Sequence, residues 1–132
     1  MASSHSAVQV PIGSAKDLVQ ARHQGRELAS TLGFSSTQAT LIAAVISELA
    51  RNIVEYAGRG EIVLRADGDS GMIISARDSG PGIADMQAAL RPGFSTSGGL
   101  GLGLPGVRRI ADRFEIDSGT TGTVVTLTMR RR

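Results

Sequence analysis

The stretch GFSTSGGLGLGLPGVRR, residues 93–109, is the part of the sequence that best indicates the fold. Glycine and leucine alternate from Gly99 to Leu104, and Pro105 follows where the first turn of a helix would begin. Proline is favoured there, and glycines ahead of a helix leave backbone N–H groups free to face an anion. The regularly spaced leucines would anchor such a loop in the core. A flexible glycine linker has no such anchors, so this alternative fits less well. The stretch therefore predicts a phosphate-binding loop leading into a helix.

Other nucleotide-binding classes share glycine-rich loops but fit this chain poorly. Gly101, Gly103 and Gly106 form a G-x-G-x-x-G pattern, yet a dinucleotide-binding fold places that pattern after its first strand and needs a second βαβ half. Only 26 residues follow Gly106. The sequence also has no V-A-I-K, H-R-D or D-F-G segment and no Walker G-x-x-x-x-G-K-[ST] segment. These absences exclude eukaryotic-type protein kinases and P-loop enzymes.

A second glycine-rich segment, DSGPG at residues 78–82, directly follows an apolar strand pattern. Gly80 and Gly82 permit backbone conformations that are closed to other residues, so this loop can approach a flat ligand closely. At the end of the strand, the carboxylate of Asp78 can accept a hydrogen bond from an exocyclic amine such as that of adenine. The same residues also suit an ordinary turn capped by aspartate, so the segment alone does not decide between the two roles.

A third segment, SELARN at residues 47–52, lies in a long helical pattern. Glu48 and Asn52 are four residues apart, which places them on one helix face about 6 Å apart along the axis. A carboxylate can orient a hydroxyl group, and an amide oxygen can hold a hard cation. A polar pair facing solvent would have the same spacing. The segment indicates a functional site only when it is considered together with the two glycine-rich loops.

The remaining pattern predicts an α+β fold. Strands are expected over 7–12, 61–66, 72–78, 113–118 and 123–129, with helices over 14–33, 35–56, 84–90 and 104–111. The turns DGDSG at 67–71 and GTTG at 119–122 predict two hairpins, and Pro11 indicates an edge strand. We expect one domain, residues 1–132, built as a two-layer sandwich with its helices on one face of a mixed, mainly antiparallel sheet.

Composition excludes several classes of protein. The 132 residues include no cysteine, which removes disulfide scaffolds and thiolate zinc sites. No apolar run approaches the ~18 residues of a membrane helix, so we expect a cytoplasmic protein without membrane contact. The net charge is only +2 and no aromatic ladder accompanies the arginines, so we expect no nucleic-acid partner. The arginines at 108, 109, 113 and 130–132 could instead form a solvated terminus or a docking surface for an acidic partner.

In this order, the segments E-x-x-x-N, D-x-G-x-G and G-x-G-x-G resemble the N, G1 and G2 boxes of the Bergerat-fold (GHKL) ATPases, the superfamily of gyrase, Hsp90, histidine kinases and MutL. The longer segments ISELARNI, DSGPGI and GFSTSGGLGLGLPGVRR look like the small RsbT-type switch serine/threonine protein kinases. That resemblance implies ATP and Mg²⁺ as cofactors and a STAS-domain antagonist of a bacterial partner-switching stress pathway as substrate. It also implies a PP2C-type phosphatase as a partner and leaves a homodimer open. The alternative is an anti-sigma factor that sequesters a sigma factor, with ATP as its regulator.

The resemblance also assigns roles to individual positions. It implies that Asn52 holds Mg²⁺ at the nucleotide, that Glu48 acts as base or polarising group, and that Asp78 recognises adenine. The other expected nucleotide-binding residues belong to the glycine-rich loops and the lid between them: Gly80, Gly82, Ser95, Thr96, Ser97, Gly99, Gly101 and Gly103. The lid has no obvious lysine, which leaves Arg91 or the following helix N-terminus to stabilise phosphate charge.

Overall fold

A computed structural model describes residues 7–80 and 103–132 of the chain. In chain order its elements are β1 (Val8–Ile12), α1 (Ala15–Thr31), α2 (Ser36–Tyr56), β2 (Gly60–Asp67), β3 (Gly71–Asp78), α3 (Gly103–Ile110), β4 (Arg113–Gly119) and β5 (Gly122–Arg130). The predicted helix over 84–90 lies outside the described residues, and so do these predicted site residues: Gly82, Ser95, Thr96, Ser97, Gly99 and Gly101.

Both long helices begin and end where short-range signals predict. Asp17 accepts a hydrogen bond from the backbone N–H of Ser14 at 3.0 Å before α1, and Ser35 accepts one from the backbone of α2 at 3.1 Å. Gly33 and Gly58 follow the two helices with φ of +87° and +85°. This left-handed conformation suits glycine and stops a helix. The caps therefore set the lengths of α1 and α2.

The five described strands form one sheet in the order β1-β2-β3-β5-β4. Every strand pairing among them is antiparallel. The predicted hairpins β2–β3 and β4–β5 are confirmed, and Pro11 lies in β1 at the edge of this sheet, as predicted. Every residue of β3, from Gly71 to Asp78, pairs with a residue of β5, so the second hairpin is joined to the first in the middle of the sheet.

The apolar core lies between this sheet and the helices. Ile46 and Leu49 of α2 are buried together with Ile62, Ile74 and Leu127 of the central strands. Residues that alternate with these along the strands face the opposite side of the sheet, where Arg65 and Arg77 are exposed. The predicted two-layer α+β arrangement is therefore confirmed. No helix among the described residues is long and apolar enough to span a membrane.

The last three arginines, residues 130–132, contact the body of the fold. Arg130 forms an ion pair with Asp67 at 3.0 Å, and Arg132 forms one with Asp112 at 2.9 Å. The guanidinium of Arg131 donates to the backbone carbonyl of residue 32 at 3.3 Å. These contacts tie the end of β5 to the turn after α1, the β2–β3 turn and the start of β4. Residues 130–132 are thus held against the rest of the fold. A docking role for them stays a prediction.

Candidate functional site

A narrow, mostly apolar cavity opens between α2 and the ends of β3 and β5. The space between its walls is about 330 Å³ when the open solvent at the mouth is counted, but the enclosed part has room for only about one water molecule. Two of the predicted site residues, Asn52 and Asp78, lie in its wall. The other described wall residues come from α2, β3, α3 and β5: Leu49, Ile53, Tyr56, Ala76, Leu104, Thr123 and Val125. The fold therefore brings together two polar side chains that are 26 residues apart in the sequence.

The side-chain amide of Asn52 is buried without a hydrogen-bond partner. Neither its oxygen nor its nitrogen forms a hydrogen bond with residues 7–80 or 103–132. An unpaired buried polar group costs roughly 1–3 kcal/mol, and native proteins keep few of them. The wall of a ligand cavity is a place where such a group gains its partner on binding. The amide oxygen is a suitable ligand for Mg²⁺, because that ion prefers hard oxygen donors.

Asp78 ends β3 and has two structural relationships. Its Oδ1 accepts a hydrogen bond from the backbone N–H of Gly80 at 3.0 Å, which is the turn-capping role open to this segment. Its side chain also lines the cavity, so the turn and a ligand-facing position occur together. Thr123 lies directly opposite Asp78 in the β3–β5 ladder and lines the same cavity. One hydrogen bond to the turn leaves the carboxylate further acceptor capacity for a ligand amine.

Gly80 is needed for a reason that the sequence does not reveal. A Cβ atom at this position would lie 2.5 Å from the Cβ of Ala57 and 3.2 Å from the carbonyl oxygen of Tyr56. The loop after β3 is therefore pressed against the C-terminal end of α2. This close approach keeps Asp78 beside the helix that carries Asn52. The expected role of Gly80 at adenine stays a prediction.

Glu48 is almost completely buried, with 1% of its side chain exposed. Its Oε1 accepts a hydrogen bond from Arg51 at 3.1 Å within α2. This burial rules out the alternative of a polar pair facing solvent. Among the described residues the cavity wall contains Asn52 but not Glu48. The two predicted residues share α2, but they lie in different surroundings.

Two cavity residues, Tyr56 and Thr123, were missed by sequence reasoning. Tyr56 follows Asn52 by four residues, so extending the spacing of Glu48 and Asn52 by one helical turn would have found it. Burial raises the pKa of the Tyr56 phenol, and the negative charges of Glu55 and Glu48 raise it further. The phenol therefore stays protonated at neutral pH. Thr123 carries no local signal, because only strand pairing brings it to Asp78.

The start of α3 reaches the same cavity. Gly103 begins the helix with φ of +62°, which favours glycine, and Leu104 lines the cavity. Pro105 falls in the first turn, as the sequence predicts. Of the predicted phosphate-loop glycines, Gly103 is the one within the described residues. Its position places the end of that loop next to the wall formed by α2 and β5.

A wider cleft lies on the other side of Asp78. Its described wall includes Arg59, Glu61 and Arg77, which are charged, and Asn52 does not belong to it. Of the two, the narrow cavity is the one lined by both Asn52 and Asp78. It is therefore the stronger candidate for the predicted site.

Comparison with known proteins agrees with this fold and this arrangement of motifs. Residues 13–129 match the histidine kinase-like ATPase domain family. The match covers most of the chain, and the chain belongs to that family. Members of an ATPase family use ATP, which fits a cavity that combines aliphatic walls with one carboxylate and one amide.

The similarity extends to a characterised enzyme. The chain is 51% identical over 105 residues to serine/threonine-protein kinase RsbT of Bacillus subtilis (strain 168), covering 77% of this chain and 79% of that relative. It is therefore an RsbT-like serine/threonine-protein kinase. The crystal structure of the RsbU and RsbW domains of Rv1364c from Mycobacterium tuberculosis shares the fold, with a TM-score of 0.70 and 22% identity. That match covers 96% of this chain but only 32% of the longer protein.

Proposed function

We propose that this chain transfers the γ-phosphate of ATP to a serine or threonine of a STAS-domain antagonist in a bacterial partner-switching pathway. The observation that carries the proposal is the unpaired amide of Asn52, which lies beside Asp78 in one cavity and one helical turn after Glu48. The identity to a serine/threonine-protein kinase over most of both chains supports the same reaction.

In this proposal the two cavity residues bind the nucleotide. The carboxylate of Asp78 accepts a hydrogen bond from the adenine amine, and the aliphatic side chains of Leu49, Ile53 and Val125 contact the ring. The amide oxygen of Asn52 is the candidate ligand for Mg²⁺, which when bound would neutralise phosphate charge. Asn52 fits this role because its amide is buried and has no partner in the described parts of the chain.

Glu48 is the candidate catalytic residue. Phosphoryl transfer forms a bond from the substrate hydroxyl oxygen to the γ-phosphorus and breaks the bond to the bridging oxygen, with ADP as the leaving group. A positioned carboxylate can orient the hydroxyl and accept its proton. Because such a group contributes about 10²- to 10⁴-fold to the rate, its loss should reduce transfer without abolishing nucleotide binding.

The partners follow from the same proposal. A STAS-domain antagonist is the substrate, a PP2C-type phosphatase is bound when that antagonist has been phosphorylated, and we expect the reaction in the cytoplasm because ATP is the phosphate donor. The homodimer left open by the resemblance is a separate prediction, which light scattering of the purified chain would test.

The proposal is tested with labelled ATP, Mg²⁺ and a purified STAS-domain antagonist protein. Glu48→Gln should bind ATP and the STAS protein as the wild type does but transfer phosphate about 10²- to 10⁴-fold more slowly. Glu27→Gln is a matched control, because this side chain is 62% exposed on α1. Pull-downs with the STAS protein and with the phosphatase, run beside the transfer assay, separate binding from chemistry.

The outcomes separate a kinase from a sequestering protein. Transfer by the wild type and by Glu27→Gln, with slow transfer by Glu48→Gln, supports the kinase. If no sample labels the STAS protein while a sigma factor is retained in the pull-down, the anti-sigma alternative is favoured and the proposal is wrong. Equal labelling by all three chains would remove Glu48 from the reaction.

A further inference from the structure

The ion pair between Arg51 and Glu48 is the most buried one among the described residues. The Arg51 side chain is 19% exposed and that of Glu48 is 1% exposed, whereas the other described pairs are far more open to solvent. Surface pairs contribute little to stability because water screens them. A pair whose carboxylate is almost completely buried is different, because little water is present to screen it. The Arg51–Glu48 contact therefore constrains Glu48 strongly.

Both members of the pair are held by the same rigid helix. They are three residues apart in α2, which places them on adjacent turns of one face. Their neighbours Leu49, Ala50 and Ile53 are all buried in the core, so the backbone that carries the pair is fixed. The guanidinium Nη1 donates to Oε1 of Glu48 at 3.1 Å. This bond selects one orientation of a side chain that would otherwise have several rotamers.

We propose that Arg51 is a positioning residue for Glu48, an inference that rests on the proposed kinase function. In that role it acts through the carboxylate, which its hydrogen bond holds in one orientation. A misplacement of about 1 Å at a reacting group can cost about 100-fold in rate, so a fixed orientation is worth keeping. The guanidinium is suited to this because it offers several N–H donors in a fixed plane.

A different role for Arg51 would be direct contact with the phosphates. That role has to be separated because the lid lacks an obvious lysine and Arg51 is next to Asn52 in the sequence. The two roles differ in what they affect. A phosphate contact contributes to ATP binding whether or not Glu48 is present. A positioning role affects the rate of transfer only and disappears when the Glu48 carboxylate has been removed.

The test is a double-mutant cycle on the full-length chain. It compares wild type, Arg51→Met, Glu48→Gln and the double variant, with Arg51→Lys to restore a positive charge. Each is assayed for kcat and KM of phosphate transfer, for ATP affinity by calorimetry and for thermal unfolding. Arg65→Met is the matched control, because Arg65 is exposed on the outer face of β2 and should leave kcat unchanged.

We expect Arg51→Met to lower kcat by about 10- to 100-fold while KM for ATP changes less than about threefold. Arg51→Lys should recover part of the lost rate. The double variant should be no slower than Glu48→Gln alone within about twofold, because two changes acting on one group are not additive. A multiplicative loss in the double variant, a raised KM for ATP with unchanged kcat, or no loss in Arg51→Met would each overturn the inference.

Failure of the role of Arg51 can be distinguished from failure of the proposed kinase function. If Arg51→Met does not fold, the test uses Arg51→Lys instead, once in the wild-type chain with Glu48 and once in Glu48→Gln. A loss confined to the Glu48 background supports positioning, and an equal loss in both or no loss in either contradicts it. A wild-type chain that binds ATP but transfers no phosphate contradicts the proposed function itself. An active wild type with additive losses contradicts only the role of Arg51.

Discussion

Asp78 lies directly opposite Thr123 in the ladder between β3 and β5, and both side chains line the cavity that contains the amide of Asn52. Thr123 is buried, and its hydroxyl oxygen is 2.7 Å from that of Ser118. The carboxylate is thus held between a helix and a buried strand residue. Three variants test what this arrangement does, and a fourth tests the contacts at the C-terminus.

Asp78→Asn tests the carboxylate in the cavity. The amide oxygen of asparagine can still accept from Gly80, so we expect the turn to survive. Nucleotide affinity should fall by about 1.5–3 kcal/mol, about 10- to 150-fold, because a charge-assisted hydrogen bond is replaced by a mismatched one. Calorimetry with ATP and ADP measures this. The exposed Asp69→Asn is the control, and wild-type affinity in Asp78→Asn would remove this residue from the nucleotide site.

Asn52→Ala separates function from stability. The change removes a buried amide without a described partner and replaces it with the best helix former. We therefore expect unfolding at the same temperature or a higher one, together with loss of phosphate transfer and of the Mg²⁺ dependence of ATP binding. Thermal unfolding and calorimetry with and without Mg²⁺ check both. A marked drop in melting temperature would mean that the amide serves the fold.

Gly122→Ala tests the support behind Asp78. Gly122 has φ of +148°, and a Cβ there would collide with the carbonyl oxygen of Asp78 and lie 3.1 Å from the Cα of Ser79. We expect a loss of about 1–3 kcal/mol in unfolding free energy from strain and overpacking. Nucleotide affinity should fall as well, because the end of β3 has to move. Urea unfolding and calorimetry measure the two effects.

Gly119→Ala is the control for Gly122→Ala. Gly119 lies in the same hairpin, and no atom lies within 4 Å of the position that its Cβ would take. It should stay within about 0.5 kcal/mol of wild type. If both glycine variants behave alike, the contact with Asp78 does not restrict the turn.

Asp112→Asn tests the C-terminal contacts and their dependence on pH. Burial disfavours the charged form of Asp112, but the backbone N–H of Arg130 and the guanidinium of Arg132 outweigh it and lower its pKa below 3.8. A carboxyl whose pKa is lowered by folding stabilises the folded state at every pH above its pKa in the unfolded chain. This stability is lost as the pH falls through the pKa of the folded state. The side chain is 25% exposed, so we expect a cost of only about 1 kcal/mol at pH 7.

Urea unfolding of wild type and Asp112→Asn at pH 7 and at pH 3 measures this difference. The gap should shrink at the lower pH, because the carboxyl takes up a proton in the unfolded chain before it does so in the folded one. Asp117→Asn, an exposed change on β4, should show no such gap. A gap that stays constant between the two pH values would contradict a contribution from the charge of Asp112.

Much of the fold follows from signals that act within a few residues. Ser14 with Asp17, Ser35, Gly33 and Gly58 mark the helix ends, because caps and left-handed glycines work through their own backbone neighbours. The two hairpins follow from their turns in the same way. Asn52 and Asp78 could be proposed as site residues because each belongs to a short segment with its own spacing. Sequence reasoning did not extend that spacing to Tyr56, although one more helical turn leads to it.

Contacts between distant segments and the choice of side-chain rotamers could not be predicted in this way. The pairing of β5 with β3 places Thr123 opposite Asp78 and Gly122 against its carbonyl, although more than 40 residues separate them. The hydrogen bond between Arg51 and Glu48 is another example. The helix spacing alone would also allow both side chains to face solvent, and it is the packing of α2 that buries Glu48. The described helices and strands and the candidate groups could be predicted, because they depend on local backbone chemistry. Which groups meet depends on how the sheet and helices bury their apolar faces against one another.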